Sequence, residues 1–434
     1  MLHNLKNIYD KLPKDKLKFL KYIPDRILFG KSYLKWKEKV SFDKSIIDKN
    51  LYDILSYAKK HTQYGKENIP KKFYIEESRK VLAELPLVSS YDIATNFEYY
   101  ISDKFNKFNS YKTTTGGSGR NPTTILLSNE SFGIEWSHMH NIWNLAGYDR
   151  VRDTKLTLRG KALKNNKLLE FNPIYNELIV DTFKVDRDNF KDLIKEIKKY
   201  NIKYIHGYPS LLKEYIEYFK YYNFVLNLNG VFLGSEGAAI QDKKQISEFF
   251  KCKVVHWYGQ TEKVTLAVDE KMDGNFKIYT SYGYPRIIDG EIVATTFVNK
   301  AMPFINFKTG DGGEIFEDEN YIYIKDIQSR RGKDFVYLNK DKKISTTAIN
   351  LHSDIQNEIL YYQIHQQDFG KVEIWLVKKE TTKLKNEVLK QRFYNEIKEK
   401  LKDFELKIKI VNEKDLIRSH RGKFIFLVQE LRDI

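Results

Sequence analysis

Three short stretches of this chain contain residue types that bind nucleotides, and they follow one another along the sequence. Residues 113–120 read Thr-Thr-Thr-Gly-Gly-Ser-Gly-Arg, residues 258–262 read Tyr-Gly-Gln-Thr-Glu, and residues 309–311 read Thr-Gly-Asp. A glycine-rich loop with hydroxyls can wrap phosphate oxygens. An aromatic ring followed by an acid suits a purine beside a metal-bridged phosphate, and an aspartate can accept hydrogen bonds from a ribose diol. Each stretch alone is a weak signal, but their order indicates an enzyme that handles ATP.

The elements that position these stretches are predicted to alternate between strands and helices. Apolar runs that end in turn residues occupy 204–207, 230–234 and 254–257. Apolar residues at helical spacing occupy 42–80, 130–146 and 211–221. This alternation predicts an α/β sheet, in which ligands usually lie at the carboxyl ends of the strands. Short β-like runs follow Gly274, and the hundred residues after Asp334 are enough for a further small domain.

The charge balance is basic, since 74 Lys and Arg stand against 58 Asp and Glu, a net charge of +16. Such an excess could serve nucleic acid, an anionic membrane or a polyanionic substrate. Both signs are mixed along most of the chain, however, which favours a general compositional bias. We therefore expect no nucleic-acid partner.

Cysteine content and the distribution of apolar residues bear on the cellular location of the protein. Cys252 is the single cysteine, so the chain has no disulfide framework, and a reducing, cytoplasmic location is predicted. No stretch approaches the ~18 apolar residues of a membrane span, and the start of the chain lacks the apolar core of a secretory signal. Residues 12–39 are basic and amphipathic, so peripheral contact with a membrane surface stays open beside packing on the chain's own domain.

The order of the motifs resembles the adenylate-forming (acyl-activating) superfamily, specifically its phenylacetate–CoA ligase branch and members associated with capsular polysaccharide biosynthesis. The resemblance covers nearly the whole chain and includes Gly-Tyr-Pro-Ser at 207–210 and Gly-Ser-Glu at 234–236. It implies an α/β fold with a large N-terminal adenylation domain, residues 1–331, built on mixed and parallel sheets with flanking helices and a β-rich subdomain. A small, mobile α+β C-terminal domain, residues 332–434, would follow and carry a catalytic lysine.

The resemblance also implies a site for ATP and Mg²⁺. Glu262 would be a catalytic residue that coordinates Mg²⁺, a hard cation that prefers oxygen ligands. Tyr258 would stack on the purine, and Asp311 would accept hydrogen bonds from the ribose. The residues implied to bind the nucleotide are Thr114, Thr115, Gly116, Gly117, Ser118, Ser235, Glu236, Gly237, Tyr258, Gly259, Gln260, Thr261, Asp311, Arg330 and Arg331.

The phosphate loop departs from the family pattern, and the choice of the ribose-side arginine stays open. The family's phosphate loop is close to Thr-Gly-Gly-Ser-Thr-Gly-x-Pro, whereas residues 115–122 read Thr-Gly-Gly-Ser-Gly-Arg-Asn-Pro. A threonine and a glycine are thus replaced, and Arg120 could add a phosphate contact. Spacing to Asp334 favours Arg331 as the ribose-side arginine, while spacing from Ile327 favours Arg330.

The catalytic lysine implied by the resemblance is Lys423, within Arg-Gly-Lys at 421–423. Forming an acyl-adenylate concentrates negative charge near the carboxylate and the α-phosphate, where a cation stabilises the transition state. The acyl pocket is less specified. The substrate-binding candidates His138, Tyr208 and Trp257, with Trp136 and His140 beside them, fall near regions that line it in relatives.

The predicted function is therefore ATP-dependent, AMP-forming activation of a carboxylic acid as an acyl-adenylate. The acyl group would then pass to CoA, the usual acceptor in this branch, or to an amine, sugar or carrier acceptor in surface polysaccharide biosynthesis. The alternative is a degenerate ligase fold that acts as a basic nucleic-acid or membrane-surface binding module, motivated by the altered loop and the +16 charge. The presence of Glu262, Asp311 and Lys423 favours the enzyme.

Overall fold

The computed structural model describes residues 14–115, 123–160, 162–163, 167–328, 335–349, 351, 353, 355, 358–379, 382–417 and 425–431. Its α-helices are α1 (Asp25–Leu28), α2 (Gly30–Lys37), α3 (Ile47–His61), α4 (Gln63–Asn68), α5 (Ser78–Glu84), α6 (Ser90–Thr95), α7 (Asn129–Asn144), α8 (Phe190–Lys199), α9 (Pro209–Tyr221), α10 (Ile240–Phe250) and α11 (Asn386–Ile397). Short 3₁₀ helices occupy Lys14–Tyr22, Lys44–Ile46, Ile75–Glu77, Phe97–Tyr100, Thr346–Ile349 and Glu413–Asp415.

The β-strands within the same residues run from β1 to β20. They are β1 (Ser110–Thr114), β2 (Thr124–Ser128), β3 (Lys155–Leu158), β4 (Leu169–Asn172), β5 (Glu177–Val180), β6 (Tyr204–Gly207), β7 (Gly230–Leu233), β8 (Lys253–Gly259), β9 (Leu266–Asp269), β10 (Phe276–Ile278), β11 (Gly283–Ile288), β12 (Glu291–Thr296), β13 (Phe307–Glu317), β14 (Ile322–Gln328), β15 (Phe335–Tyr337), β16 (Lys343–Ser345), β17 (Ile359–Gln366), β18 (Lys371–Lys378), β19 (Glu405–Ile410) and β20 (Leu427–Gln429).

One large mixed sheet forms the body of the molecule. Its strands lie in the order β11-β12-β13-β14-β10-β9-β8-β7-β6-β3-β5-β4. The strands β5, β3, β6, β7 and β8 pair in parallel, and the pairings on either side of them are antiparallel. Parallel strands end on the same edge of a sheet, so the segments that follow β3, β6, β7 and β8 come together there.

Helices cover both faces of the parallel strands. In β7, Val231 and Leu233 belong to the core under α8, α9 and α10, whereas Phe232 belongs to the core under α7. All four residues of β7 are buried, as expected for a strand that is covered on both faces. Burial on both faces also explains why residues 230–234 form a continuous apolar run in the sequence, without alternating polar residues.

The predicted helical stretch at 42–80 is divided into several helices rather than one. Thr62 ends α3 in an extended conformation, and its hydroxyl accepts a hydrogen bond from the Gly65 N–H, which caps α4. Gly65 also lets the two helices touch, because a Cβ there would lie 2.2 Å from the carbonyl oxygen of Ala58. The apolar residues do lie at helical spacing, but the cap at Thr62 and the close contact at Gly65 divide the stretch into separate helices.

The basic N-terminal segment packs on the large sheet through a buried arginine. Arg150 donates hydrogen bonds to the carbonyl oxygens of Lys21, at 2.8 Å, and Ile23, at 3.0 Å, and forms an ion pair with Asp25. The Lys18 ammonium lies 4.9 Å from the centre of the Tyr200 ring. No helix in the described part of the chain has the length and apolar character needed to cross a membrane.

The C-terminal residues form a smaller α/β unit with its own core. Its sheet has the order β19-β18-β17-β20, and α11 packs on it through Leu389, Phe393 and Ile397. The predicted fold class, a large mixed α/β body with flanking helices and a separate C-terminal α/β unit, is confirmed. The domain boundary at 331/332 and the mobility of the unit stay predictions, since residues 329–334 lie outside the described residues.

A glycine on α7 sets the position of the helix that carries much of the site described below. A Cβ at Gly133 would lie 2.3 Å from the Phe29 carbonyl oxygen and 2.4 Å from the Ser32 hydroxyl, next to and within α2. Since neither the backbone nor the packed helix can move cheaply, we expect Gly133→Ala to lower the free energy of unfolding by about 1–3 kcal/mol.

Urea denaturation followed by circular dichroism measures this change. Asn144→Ala, at an exposed position of the same helix, is the matched control and should stay within about 0.5 kcal/mol of the unmodified protein. Equal stability of the two variants would contradict the proposed packing constraint.

Candidate active site

A cavity of about 820 Å³ lies at the edge of the sheet where the parallel strands end. Arg159 directly follows β3, His206 lies near the end of β6, and residues 235–239 follow β7. The carboxyl end of β8 and the loop after it, residues 256–262, complete this side. The remaining wall is formed by α7, the β1–β2 hairpin and parts of β13 and β14.

Most of the predicted nucleotide residues that the structure describes line this cavity. They are Thr115, Ser235, Glu236, Gly237, Tyr258, Gly259, Gln260, Thr261, Glu262 and Asp311. Thr114 instead lies within β1, paired with Thr124, and does not line the cavity. Gly116, Gly117, Ser118, Arg330, Arg331 and Lys423 fall outside the described residues.

The segment that follows β7 forms a fixed wall of the cavity. Ser235 has a φ of 68°, and the Glu236 carboxylate accepts a hydrogen bond of 3.3 Å from the Ser210 N–H. The Glu236 carbonyl oxygen accepts a second one, 2.9 Å long, from Nε2 of His256. Gly237 has open space beside it, since a Cβ there would meet nothing within 4 Å. This wall therefore leaves room for a flat group along the chain at Gly237.

A hydrogen bond joins the predicted purine and ribose residues. The Tyr258 hydroxyl donates to Oδ2 of Asp311 at 2.9 Å. Burial of the hydroxyl and the adjacent Asp311 carboxylate raise the pKa of Tyr258 well above its usual value, so the hydroxyl stays protonated and donates. On the strand of Asp311, Gly310 adopts a φ of 83° and its N–H donates to Oε1 of Glu291 at 2.7 Å. The aromatic ring and the carboxylate are thus held as one unit.

The predicted metal ligand Glu262 lies in a loop that a buried ion pair ties to α7. Glu262 itself is 7% exposed and lines the cavity. The next residue, Lys263, has a φ of 57° and is buried, and its ammonium pairs with the carboxylate of Glu135 on α7. Both of these residues line the cavity. The ion pair fixes the loop, because breaking it would leave a buried charge unpaired.

The hairpin that carries the predicted phosphate loop is closed next to the cavity. The Thr115 N–H donates to the Thr123 carbonyl oxygen at 3.0 Å, and the Thr123 N–H donates to the Thr115 hydroxyl at 3.1 Å. Residues 116–122 connect these two threonines and lie outside the described residues. The structure therefore places the start and the end of the predicted phosphate loop at the cavity.

At the other end, large apolar side chains line the cavity. Trp136, Met139 and Trp143 come from α7, and Trp257 comes from β8. The Trp257 indole packs directly on the backbone of Gly234, where a Cβ would lie 2.3 Å from Cζ2 of the ring. Trp257 is the one predicted substrate residue of the three that lines the cavity.

The other two substrate candidates do not lie with it. His138 is fully buried, and its ring nitrogens contact the Ile134 carbonyl oxygen at 2.8 Å and the Ser281 hydroxyl at 2.9 Å. Burial lowers its pKa to about 4. Tyr208 begins α9 and packs on Phe183. Both are core residues in this structure, and His140, bonded to the Tyr33 hydroxyl at 2.7 Å, is another.

Helical spacing explains why Trp136 lines the cavity while His138, two residues later, lies in the core. The residues of this helix that line the cavity are Phe132, Glu135, Trp136, Met139 and Trp143. Residues 134, 138 and 142 lie about 100° around the helix and face the core. Arg159, His206 and Lys263 were also missed, although Arg159 and His206 lie at strand ends and Lys263 follows Glu262 directly.

Comparison with known proteins finds one similar sequence and several structures that share the fold of this chain. No family model matches the chain. Its sequence is similar to that of protein CapK of Staphylococcus aureus, with 23% identity over 373 residues, 81% of this chain and 80% of CapK. Its structure is similar to 2-hydroxyisobutyryl-CoA ligase with 2-HIB-AMP and CoA in the thioesterification state, with a TM-score of 0.55, 14% identity and coverage of 89% of this chain and 90% of that one.

The same ligase in an open conformation, also with 2-HIB-AMP and CoA, gives a TM-score of 0.51 at 14% identity, covering 90% of this chain and 91% of that one. The likeness thus spans both the large body and the C-terminal unit. It establishes the shared fold.

The Tyr258–Asp311 contact generates a binding prediction. Because the hydroxyl of Tyr258 holds the Asp311 carboxylate in place, Tyr258→Phe should weaken binding of Mg·ATP by about 3- to 10-fold, the range of one lost hydrogen bond. Isothermal titration calorimetry measures this directly. Tyr74→Phe, at a side chain that is 71% exposed, is the control. If both variants bind Mg·ATP like the unmodified protein, the contact does not position the nucleotide.

Proposed function

We propose an AMP-forming ligase activity for this chain, which has the fold of the adenylate-forming superfamily and a sequence relationship to CapK. Its substrates are Mg·ATP, a carboxylic acid and an acyl acceptor. The observation that carries this proposal is the convergence of Tyr258, Glu262 and Asp311 on one cavity at the carboxyl edge of the parallel strands.

The nucleotide occupies the side of the cavity formed by the segment after β7 and by the Tyr258–Asp311 pair. The purine stacks on Tyr258 and lies along Ser235, Glu236 and Gly237, where the structure leaves open space. The ribose hydroxyls donate to Asp311. The triphosphate is assigned to Thr115 and the glycine-rich loop at 116–118, and Gly259, Gln260 and Thr261 also line the cavity.

In the first step a carboxylate oxygen of the acid attacks the α-phosphorus of ATP. A new O–P bond forms, the bond from the α-phosphorus to the bridging oxygen breaks, and pyrophosphate leaves with the electron pair. Glu262 is assigned to the Mg²⁺ that accompanies ATP, since Mg²⁺ usually binds one or two carboxylates together with substrate phosphates. The ion offsets phosphate charge, and the protein contributes mainly positioning and electrostatic stabilisation.

The C-terminal unit supplies Lys423 for this step. Its ammonium would stabilise the charge that develops between the carboxylate and the α-phosphate. The unit then turns about the segment near Asp334 for acyl transfer, and Arg330 or Arg331 contacts the ribose side. These assignments rest on the sequence, and the two states in which 2-hydroxyisobutyryl-CoA ligase has been solved support a moving C-terminal unit.

The acceptor is either CoA or an amine on a sugar or carrier. The ligase with the same fold was solved with CoA, which supports CoA. The relationship to CapK, with the resemblance to capsule-associated members, supports an acceptor in surface polysaccharide biosynthesis. A panel of carboxylic acids incubated with ATP, with AMP release measured with CoA, with amino sugars or with neither, distinguishes these acceptors.

Two substitutions test the adenylation step. Lys423→Ala and Glu262→Gln should each reduce acid-dependent exchange of pyrophosphate into ATP by at least about 100-fold, because each removes a group that stabilises transition-state charge. Lys402→Ala, an exposed lysine of the same C-terminal unit, should retain full exchange. Intact exchange in Lys423→Ala would exclude the proposed role of the C-terminal unit in adenylation, and intact exchange in Glu262→Gln would exclude the metal assignment.

A further inference from the structure

His206 is a polar residue at the acyl end of the cavity that the nucleotide chemistry leaves unused. It lies in β6, is only 6% exposed and lines the cavity. Among the described residues, neither of its ring nitrogens makes a hydrogen bond. Neither nitrogen is among the buried polar atoms that are enclosed without a partner, so the ring offers its nitrogens to a ligand in the cavity that it lines.

The surroundings of His206 form an aromatic slot, in which the rings of Trp143 and Trp257 are inclined to the imidazole by 55° and 48°. Its ring centre lies 5.5 Å from that of Trp143 and 5.1 Å from that of Trp257. Trp257 in turn is held against Gly234. These contacts fix the imidazole in the wall, so it cannot turn away to find another partner.

The ring in this slot is neutral. Burial, followed by the nearby positive charges of Arg159 and Lys155, lowers the pKa of His206 well below its usual value. A neutral imidazole has one N–H donor and one nitrogen that accepts. The ring therefore pairs best with a group that can donate or accept a hydrogen bond, rather than with a group of opposite charge.

We propose that His206 is the specificity residue of the acyl site and selects a carboxylic acid that carries a hydroxyl group. A hydroxyl can both donate and accept, so it pairs with the imidazole in either tautomer. The alkyl or aryl part of the acid lies between the indoles of Trp143 and Trp257, beside Met139. This assignment rests on the proposed ligase function and deepens it by naming the class of acid.

The alternative partners fit less well. A hydrocarbon acid would displace the water that can reach the imidazole through the cavity and would leave the ring unpaired, which costs affinity. A second carboxylate can only accept, and it would be drawn to Arg159, whose guanidinium is exposed at the cavity and lies 3.5 Å from the Ser235 hydroxyl. A dicarboxylate is therefore the competing outcome of the test.

Acid-dependent pyrophosphate exchange with matched acids tests the inference. The probes are benzoate, phenylacetate and butyrate, each beside its monohydroxylated forms, together with glutarate. At least one hydroxylated acid should exceed its parent in kcat/KM by about tenfold or more, the cost of one buried polar group left unpaired. His206→Phe keeps a ring in the slot and removes both nitrogens, so it should reduce that preference at least fivefold.

Two further variants separate specificity from folding. His206→Gln, which keeps a donor and an acceptor, should restore part of the preference. His61→Phe, at a histidine paired with Asp103 outside the cavity, should leave the preference unchanged. All variants should bind Mg·ATP with unchanged affinity, because His206 lies at the acyl end.

The outcomes are distinguishable. Three results would overturn the role of His206 and leave the ligase function standing. They are no preference for hydroxylated acids, a preference that survives in His206→Phe, and a preference for glutarate over every hydroxylated acid. Absence of exchange with every acid would overturn the ligase function itself, and this inference with it. Loss of preference in His206→Phe with Mg·ATP binding retained would support the role.

Discussion

The hydrogen bond between Tyr258 and Asp311 joins the parallel part of the large sheet to its antiparallel part. Tyr258 ends the last parallel strand, whereas Asp311 lies in the antiparallel half, in β13. Three strands, β9, β10 and β14, lie between them in the sheet order. The cavity depends on this contact because it ties the parallel edge to the antiparallel part of the sheet at a place where both residues line the cavity.

Three buried lysines in and near the cavity walls are each paired with an acidic side chain. The buried ammonium groups of Lys243 and Lys263 pair with Asp269 and Glu135, and Lys155 pairs with Glu177 at 3.0 Å. A buried charge is tolerated only when paired, so these lysines serve the architecture of the cavity walls. The basic excess of the whole chain is therefore a poor guide to the chemistry of this cavity.

The sequence predicted the fold and many of the residues that line the cavity after β7 and β8, because both depend on local patterns. The strands that end near Gly207, Gly234 and Gly259 are apolar runs followed by turns, and the structure brings their ends together. The α/β fold that the resemblance implied is confirmed by the fold shared with 2-hydroxyisobutyryl-CoA ligase. Those motifs are short and continuous, so one chain segment holds each set of residues.

The aromatic part of the cavity lining was harder to predict because it depends on long-range packing. His138 and Trp136 are two residues apart, yet only Trp136 faces the cavity, since α2 and β8 decide which side of α7 is buried. His206 sits in an apolar strand, where a histidine reads as an ordinary core residue until its neighbours are known. The pairing of Lys263 with Glu135 spans 128 positions of sequence, and no local pattern reveals it.

The closure of the β1–β2 hairpin has a consequence for how this chain can diverge. Thr115 and Thr123 lock the two strands together immediately before and after residues 116–122. These two hydrogen bonds join strand ends and involve none of the residues between them. The seven positions of the connection can therefore diverge in sequence while the strands on either side keep their pairing.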